Sequence, residues 1–308
     1  MRVAICIGTF HRQELLHELL SSLSQLTFHR TRRPTIEVIV VDNDPAGSAN
    51  EICHGARAAI PVRYVIESKR GIANVRNRAI QEAIAADFIA FIDDDEIASP
   101  QWLDELLWVQ ARYGLDAVTG PVRPKFVGHI PEWVKKSKCF ERPEFTTGTL
   151  LNKSFTGNVL ISSIVFKAIP KFDERFQLTG GEDTHFFSQV HRAGFRIGWS
   201  QQALLHEVIS PRRANLRWIL HRGFQSGNSW VLSENLLCNG TRFRLARFCK
   251  SCVRVVNGLV MSIITVFINR GLAVRHLRQA FVGAGMFAAL IGRRYQAYAA
   301  SNPPIPVK

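Results

Sequence analysis

The N-terminal two thirds of the chain alternate short apolar runs with patterns of helical period, which restricts this part to an α/β fold. The strand-like runs are residues 3–7, 38–41, 62–66, 88–92 and 117–120. Helical patterns separate several of them, at residues 15–26, 72–86 and 102–113. This order predicts parallel βαβ units. The runs lack strict alternation, as expected for strands that are buried on both faces of a sheet.

Polar residues end three of the strand-like runs, namely Thr9, Asp42 and Asp93. Ligands of open parallel sheets bind at the carboxyl ends of the strands. We therefore expect these three side chains to lie along one edge of the sheet, at a binding site.

Three consecutive aspartates, Asp93, Asp94 and Asp95, follow the fourth run. Adjacent carboxylates repel one another, so this sequence at a buried strand end predicts a bound cation. Alternate residues of an extended chain point the same way, which would put Asp93 and Asp95 on one side. Mg²⁺ or Mn²⁺ with a diphosphate fits, because hard cations take carboxylate and phosphate oxygens. The alternative is an acidic loop that caps the helix near Trp102.

Two glycines, Gly180 and Gly181, precede the acidic pair Glu182-Asp183 at the start of a helix predicted over residues 183–193. Such a pair can be only a cap that complements the helix dipole. The glycines favour a ligand as well, since they let the backbone approach it closely. Transfer of a group to an acceptor hydroxyl would need a general base for the hydroxyl proton, and we favour Asp183 over Glu182 for that role.

Residues 69–78, KRGIANVRNR, combine basic side chains with a glycine just before a predicted helix. A glycine followed by a helix N-terminus suits phosphate binding, and the candidates are Arg70, Arg76 and Asn77. The alternative is an ordinary basic helix face in contact with solvent.

The pattern changes after residue 120. Prolines interrupt residues 121–150, which predicts an irregular excursion over the sheet that shapes an acceptor groove. A strand is predicted again at residues 158–161, and a short run at 204–205 ends at His206. A neutral imidazole there could complete a metal shell, although a single histidine is more often structural.

Two uncharged runs in the tail, residues 255–269 and 279–292, have arginines at both ends. Each run of about 15 residues spans roughly 22 Å as a helix, whereas a hydrocarbon core needs about 20 residues. These lengths favour a helical hairpin that enters the membrane without crossing it. A pair of buried packing helices is the alternative.

The formal charge of +14 is concentrated in the last third of the chain, beside these apolar runs. Basic residues next to apolar helices favour an anionic membrane surface over nucleic acid as the partner. The six cysteines are scattered, and the first residues form a strand-like run instead of a secretory signal, which predicts reduced thiols in the cytoplasm. Cys249 and Cys252 have CxxC spacing, but no second pair or nearby histidine cluster completes a zinc site.

Several of these stretches, in this order, resemble family 2 glycosyltransferases of the GT-A fold. They are CIGTFHR at 6–12, VIVVDND at 38–44, RGIANVRNRA at 70–79, FIAFIDDDE at 88–96, TGNVLI at 156–161, and FDERF with GGEDTHFF within 172–187. A closer resemblance is to succinoglycan-type exopolysaccharide glucosyltransferases. It adds GPV at 120–122, HE at 206–207, RGFQSG at 222–227 and the apolar tail.

The resemblance implies a mostly parallel, Rossmann-like sheet, UDP-glucose as the donor and a polyprenyl-diphosphate-linked saccharide as the acceptor. It implies that Thr9 and Asp42 hold the uridine and Asp93 the ribose side. It also implies Asp95 and His206 as metal ligands and Asp183 as the base. The other expected donor contacts are Arg12, Arg70, Arg76, Asn77 and Asp94. Relatives often carry a spaced pair of aspartates, so either Asp93 or Asp94 could face the nucleotide.

We predict a catalytic domain over residues 1–235 and a helical membrane-associating segment over 236–308, at the cytoplasmic face of a bacterial inner membrane. Exopolysaccharide synthesis is the expected process, with lipopolysaccharide or O-antigen assembly as the alternative. A nucleotidyltransferase would carry a glycine-rich loop with a basic residue directly after the first strand, where this chain has TFHR at 9–12. A catalytically inactive sugar-nucleotide-binding membrane scaffold is the alternative from another class, and the intact carboxylates argue against it.

Overall fold

A mixed β-sheet forms the centre of the computed structural model. The structure describes residues 1–56, 61–238 and 240–298. The strands are β1 (Arg2–Thr9), β2 (Thr35–Asp42), β3 (Val62–Ile66), β4 (Phe88–Phe91), β5 (Glu96–Ala98), β6 (Ala117–Thr119), β7 (Val122–Phe126), β8 (Leu150–Leu151), β9 (Val159–Ser162), β10 (Ile197–Trp199) and β11 (Leu205–Ile209). Within the described residues the main sheet has the order β3-β2-β1-β4-β9-β6-β10-β8.

The predicted parallel arrangement is confirmed for the first four strands of this order, which pair in parallel from β3 to β4. The mostly parallel sheet is confirmed, with two antiparallel members for which no direction was predicted: β9 runs antiparallel to both β4 and β6, and β8 runs antiparallel to β10. An apolar run buried on both faces looks the same in either direction, so the sequence alone did not show the reversal.

Helices pack on both faces of the sheet and continue beyond it. Their bounds are α1 (Gln13–Leu23), α2 (Asn50–Ala56), α3 (Ile72–Glu82), α4 (Trp102–Tyr113), α5 (Glu132–Ser137), α6 (Ser163–Ala168), α7 (Glu182–Arg192), α8 (Leu216–Leu237), α9 (Thr241–Val266) and α10 (Arg270–Leu290). Side chains of α1 and α4 pack on one face, and side chains of α3 and α7 pack on the other.

The predicted irregular excursion at residues 121–150 contains regular structure. It includes β7, α5 and β8, and β7 joins β11 and β5 in a second, three-stranded sheet. Strand β7 pairs with β11 in parallel, although residues 127–204 separate the two strands in the sequence. The prolines made the segment look irregular. A proline is normally confined to edge strands, and β7 is an edge strand of this small sheet, so a strand can form there.

The tail folds into the antiparallel hairpin of α9 and α10, packed against α8. Close approach depends on small residues: a Cβ at Gly258 would lie 2.5 Å from the backbone nitrogen of Ala280. Ser251 Oγ donates to the Gly283 carbonyl oxygen across the same interface, at 2.7 Å. Both helices begin well before the uncharged runs, at Thr241 and Arg270, and end within them, at Val266 and Leu290.

The two tail helices differ in exposure. Helix α10 is largely buried between its neighbours, as the packing-helix alternative expected. Helix α9 buries Ser251, Gly258 and Thr265 but exposes a row of large apolar side chains. By length and composition alone, α9 is long and apolar enough to cross a membrane. The turn after it carries Phe267 and Ile268, which are 89% and 78% exposed.

Candidate active site

The carboxyl ends of the parallel strands meet at one edge of the sheet, as predicted. Thr9 and Asp42 are register partners at the ends of β1 and β2, and Asp93 follows β4, the other neighbour of β1. Thr9 Oγ1 donates to Asp94 Oδ2 at 2.9 Å. Arg12 Nη1 donates to Asp94 Oδ1 at 2.8 Å and to Asp95 Oδ2 at 3.2 Å. This edge therefore gathers the predicted donor residues of two strands into one cluster.

The three aspartates point to different partners. We expected Asp93 and Asp95 to face one side, but Asp94 and Asp95 lie in a turn, where the alternation of an extended strand does not apply. Asp94 and Asp95 share Arg12, whereas Asp93 Oδ1 accepts from Arg76 Nη2 at 3.4 Å. A common side for Asp93 and Asp95 stays a prediction, and Asp93 has the most exposed side chain of the three aspartates, at 44%.

Asp95 continues the cluster toward the small sheet. Its Oδ2 accepts from Arg213 Nη1 at 2.8 Å, and Arg213 also pairs with Glu207 of β11. Burial raises the pKa of Asp95, and the guanidinium groups of Arg12 and Arg213 oppose that effect. Burial likewise raises the pKa of Asp94, to about 6, against the effect of Arg12. Burial therefore opposes the charged form of both carboxylates, and the arginines partly offset that effect.

Arg76 joins the strand edge to the start of α7. Its guanidinium pairs with Glu182 in a buried contact and with Asp93 at 3.4 Å. Helix α3 carries Arg76, which is buried. Gly71 precedes this helix with φ +132, and a Cβ on Gly71 would lie only 2.7 Å from Gln177 Cβ, so the start of the helix favours glycine. One arginine therefore connects two acidic motifs that lie almost ninety residues apart in the chain.

The acidic pair of α7 divides into one paired and one more accessible carboxylate. Glu182 is buried, and burial raises its pKa to about 7 while Arg76 opposes the shift. Asp183 is half-buried and accepts from the Thr184 backbone N–H at 2.6 Å. Gly180 and Gly181 have φ of +72 and +93. This left-handed turn favours glycine and orients the two carboxylates.

Other predicted donor residues make internal contacts. Asp42 accepts from the backbone N–H groups of Asp44 and Ala49 and from the Tyr64 hydroxyl, at 2.8–3.0 Å. Asn77 exchanges two hydrogen bonds with the backbone of Phe172. These contacts give both residues a structural role in the protein, and their contact with a nucleotide stays a prediction. 

Arg70 lies at the mouth of the edge. Its guanidinium carbon is 4.9 Å from the centre of the Phe10 ring, and its Nε donates to the Tyr298 carbonyl oxygen at 3.2 Å. Arg70 is half-buried, whereas Arg76 and Asn77 are buried, so Arg70 is the most accessible of the three predicted phosphate ligands.

The carboxylates suit a divalent cation that is also held by a ligand. Across the described ranges, no group of three or more His, Cys, Asp or Glu side chains could hold a metal ion alone. Mg²⁺ usually takes one or two carboxylates together with substrate phosphates. Glu96 Oε1 is buried near Asp93 without a hydrogen-bond partner among the described residues. Burial, then the charge of Asp93, raises the pKa of Glu96, and Arg142 opposes that effect.

His206 lies within β11, opposite Arg123 of β7 in the register. Burial, then the charges of Arg123 and Lys125, lower its pKa. The imidazole is therefore neutral at neutral pH, the form that binds metals. Its immediate neighbour Glu207, not His206, shares Arg213 with Asp95 in this structure. A metal role for His206 stays a prediction.

Sequence reasoning missed several residues of this site because they come from distant segments. Arg142 and Arg213 both pair with Glu207, at the side of the cluster away from β1. Tyr298 reaches the site after α10: its backbone N–H donates to the Leu178 carbonyl oxygen at 2.9 Å. The charged groups around Tyr298 include Arg76 and Glu182. No local motif marks these residues.

The family model of glycosyl transferase family 2 matches residues 4–173. The succinoglycan biosynthesis protein ExoM of Rhizobium meliloti is 34% identical over 236 residues, which cover 74% of each chain. A glucosyl-dolichyl phosphate glucuronosyltransferase of Haloferax volcanii is 25% identical over 252 residues, covering 74% of this chain and 75% of the relative.

Two solved structures share the fold. The mannosyltransferase PcManGT of Pyrobaculum calidifontis, in complex with GDP-Man and Mn²⁺, aligns with a TM-score of 0.64 over 94% of this chain and 86% of its own, at 15% identity. S. aureus TarS 1–349 with UDP-GlcNAc aligns with a TM-score of 0.53 over 96% of this chain and 93% of its own, at 16% identity. The GT-A-like α/β fold predicted from the sequence is confirmed.

Proposed function

The chain belongs to glycosyl transferase family 2, and from that premise we propose that it transfers glucose from UDP-glucose to a polyprenyl-diphosphate-linked saccharide, with inversion, in bacterial exopolysaccharide synthesis. The similarity to a succinoglycan biosynthesis protein over most of both chains supports the process. The fold neighbours that hold UDP-GlcNAc or GDP-Man support a sugar nucleotide as the donor.

The observation that carries the proposal is the pair of contacts made by Arg76. Arg76 forms ion pairs with Asp93 at the strand edge and with Glu182 of α7. The proposed donor contact Asp93 and the segment that carries the proposed base, Asp183, therefore both adjoin one buried guanidinium group. An inverting displacement needs that proximity, because the acceptor oxygen must reach the anomeric carbon from the face opposite the leaving diphosphate.

Asp183 accepts the proton of the acceptor hydroxyl in the proposed reaction. The acceptor oxygen forms a bond to the anomeric carbon while its proton moves to the Asp183 carboxylate. The bond between the anomeric carbon and the diphosphate oxygen breaks, and UDP leaves with the electron pair. Glu182 keeps Arg76 in place, and the half-buried position of Asp183 supports its choice as the base.

The strand edge binds the donor in this proposal. Asp95, with His206 as a further candidate, holds Mg²⁺ or Mn²⁺, which when bound supplies a Lewis acid that stabilises the negative charge of the leaving diphosphate. The proposed donor contacts are Thr9, Arg12, Asp42, Arg70, Arg76, Asn77, Asp93 and Asp94. Arg12 and Arg70 offer cationic groups near the mouth of the site.

A nucleotide panel tests the proposal. We expect UDP-glucose with Mn²⁺ to raise the melting temperature, since a ligand at about 100 times its Kd stabilises a protein by about 2.7 kcal/mol. The same sample should hydrolyse the donor slowly and transfer glucose to a lipid-linked acceptor. Stabilisation by a GDP, dTDP or CMP sugar alone would overturn the choice of donor. Binding without hydrolysis or transfer would favour the inactive scaffold.

We propose that the tail, within the predicted segment 236–308, attaches the catalytic domain to the cytoplasmic face of the inner membrane. Residues 299–308 of that segment lie outside the described residues. The uncharged part of α9, residues 255–266, is about 18 Å long, which is shorter than a hydrocarbon core of about 30 Å. This length supports insertion of the hairpin tip. Helix α8 crosses the predicted boundary at residue 235 and packs on α10, so the boundary stays a prediction.

Replacing both Phe267 and Ile268 with aspartate should release the protein from membranes. Each apolar side chain contributes about 1.5–3 kcal/mol when it leaves water, so the double variant should partition at least about 100-fold less into membrane vesicles. Ile84→Asp is the matched control, because Ile84 is also 89% exposed but lies on the catalytic domain. Cosedimentation with vesicles measures the effect. Equal release by the control, or retention of the double variant, would contradict insertion of the tip.

A further inference from the structure

Four cationic side chains surround the indole of Trp230 on α8. The charged groups of Lys153, Arg247, Lys250 and Arg254 lie 5.2, 5.3, 4.8 and 5.4 Å from the ring centre. We call this group the Trp230 cation cluster. Three of its members come from α9 at positions i, i+3 and i+7, which share one helix face. Lys153 comes from the loop that follows β8.

Charge in the Trp230 cation cluster is poorly balanced. Glu234 pairs with Arg247 at 2.8 Å and contributes one negative charge against four positive ones. Burial and the neighbouring arginines lower the pKa of Lys250 and of Arg254, as expected for cations that repel one another. A cation–π contact gains too little to gather four cations. An anion with several charges would satisfy such an arrangement.

The cluster connects the catalytic side to the tail. Ser229, the residue before Trp230, packs closely on Gly181 at the start of α7. A Cβ added to Gly181 would lie 2.7 Å from the Cβ of Ser229. Lys153 precedes Gly157, whose added Cβ would lie 3.0 Å from Asp93 Oδ2. The Trp230 side of the cluster therefore adjoins the start of α7, and Lys153 lies four residues before the glycine that contacts Asp93.

The other side of the cluster leads to apolar surface. Exposed apolar side chains continue from the last turn of the cluster along α9 to the hairpin tip, on a different face of the helix from the three cations; among them are Val253, Val256, Val260 and Ile264. A ligand with a compact, multiply charged head and a long apolar chain matches this sequence of surfaces. Arginine suits such a head, because its planar group binds phosphate oxygens in pairs.

We propose that the Trp230 cation cluster binds the diphosphate of a polyprenyl-linked acceptor, with the polyprenyl chain along α9 and the saccharide directed toward Asp183. This inference rests on the proposed function and adds where the acceptor head binds. An anionic phospholipid offers the same phosphate chemistry, and the experiment below separates the two.

Farnesyl diphosphate is a suitable probe for full-length protein in neutral detergent micelles, with calorimetry as the measurement. We expect farnesyl diphosphate to bind and farnesol not to bind, because the cluster recognises the phosphates. Arg254→Gln and Lys250→Gln should each weaken binding by about 10-fold or more, the loss of one charge-assisted hydrogen bond. Lys250 is exposed, so its variant avoids a folding defect that the half-buried Arg254 could cause.

Arg242→Gln is the matched control, since it removes the same charge from an exposed position of α9 outside the cluster. It should change binding by less than about twofold, and all three variants should keep the UDP affinity of the wild type. Equal weakening by Arg242→Gln would reduce the effect to general surface charge and overturn the site.

Competition experiments complete the test. Displacement of farnesyl diphosphate by UDP would place the probe in the donor site and overturn the inference. Equal displacement by phosphatidylglycerol at the same phosphate concentration would assign the cluster to a phospholipid and overturn the acceptor role. Wild-type protein that binds farnesyl diphosphate but no UDP would contradict the proposed function while the lipid-diphosphate site stands. Binding of UDP but not of farnesyl diphosphate would contradict this inference alone.

Discussion

Asp183→Asn is expected to lower the rate of glucose transfer by about 10²–10⁴-fold, the usual contribution of a general base. The amide keeps the size of the side chain and an oxygen that accepts from the Thr184 backbone N–H. The substitution removes the group that takes the proton of the acceptor. UDP-glucose affinity and the melting temperature should change little, because the carboxylate is only half-buried.

Glu182→Gln is the matched comparison at the neighbouring position. It makes the same chemical change, but it removes the buried partner of Arg76. Breaking a buried ion pair by removing one partner typically costs about 3–5 kcal/mol, so this variant should lose melting temperature. Stopped assays of transfer, calorimetry with UDP-glucose and thermal melts separate the two outcomes. Near-normal transfer by Asp183→Asn would exclude it as the base. A large loss of rate in a stable Glu182→Gln variant would move the role to Glu182.

The part of the site that could be predicted from the sequence depends on local order. Strand runs end at Thr9, Asp42 and Asp93, and parallel pairing alone brings such ends to one edge, as the register of β1, β2 and β4 confirms. The helix that starts after Gly181 was likewise apparent from glycines and an acidic pair. In each case the chemistry and the element that positions it lie within a few residues.

The remainder depends on contacts between distant segments. The small sheet pairs β7 with β11, and it carries Glu207 to Arg213 and Arg142 beside Asp95. Nothing in the proline-interrupted stretch predicted that pairing. The turn at Asp94 and Asp95 was also unexpected, since an extended strand was assumed up to the end of the motif. Tertiary packing decided both features.

The distribution of charge bears on how the proposed donor and its cation would bind. Arg12, Arg76 and Arg213 already pair with strand-end or α7 carboxylates, so each cation restrains an acidic group before any donor binds. A diphosphate that enters with a divalent cation adds negative and positive charge together. The existing ion pairs can then stay largely in place, which allows a preorganised site to bind the donor without extensive rearrangement.

Asp95→Asn is expected to remove the metal dependence of UDP binding. In the wild type, Mn²⁺ should strengthen UDP binding by more than about 100-fold over binding in EDTA, since a bound metal contributes several kcal/mol of charge stabilisation. The amide oxygen of the variant still accepts from Arg213 or Arg12 but is a poor ligand for a hard cation. Calorimetric titration of UDP with Mn²⁺ and with EDTA should then give nearly equal affinities.

Glu207→Gln separates the metal role of Asp95 from its ion pair, because Glu207 is the other carboxylate partner of Arg213. Both variants disturb the same arginine in a buried site, so both should lower the melting temperature. Only Asp95→Asn should abolish the difference between Mn²⁺ and EDTA. An equal loss of metal dependence in Glu207→Gln would mean that the Arg213 network, and not a ligand at Asp95, supports donor binding. A strong Mn²⁺ effect that survives in Asp95→Asn would assign the metal to another carboxylate, with the more exposed Asp93 next in order.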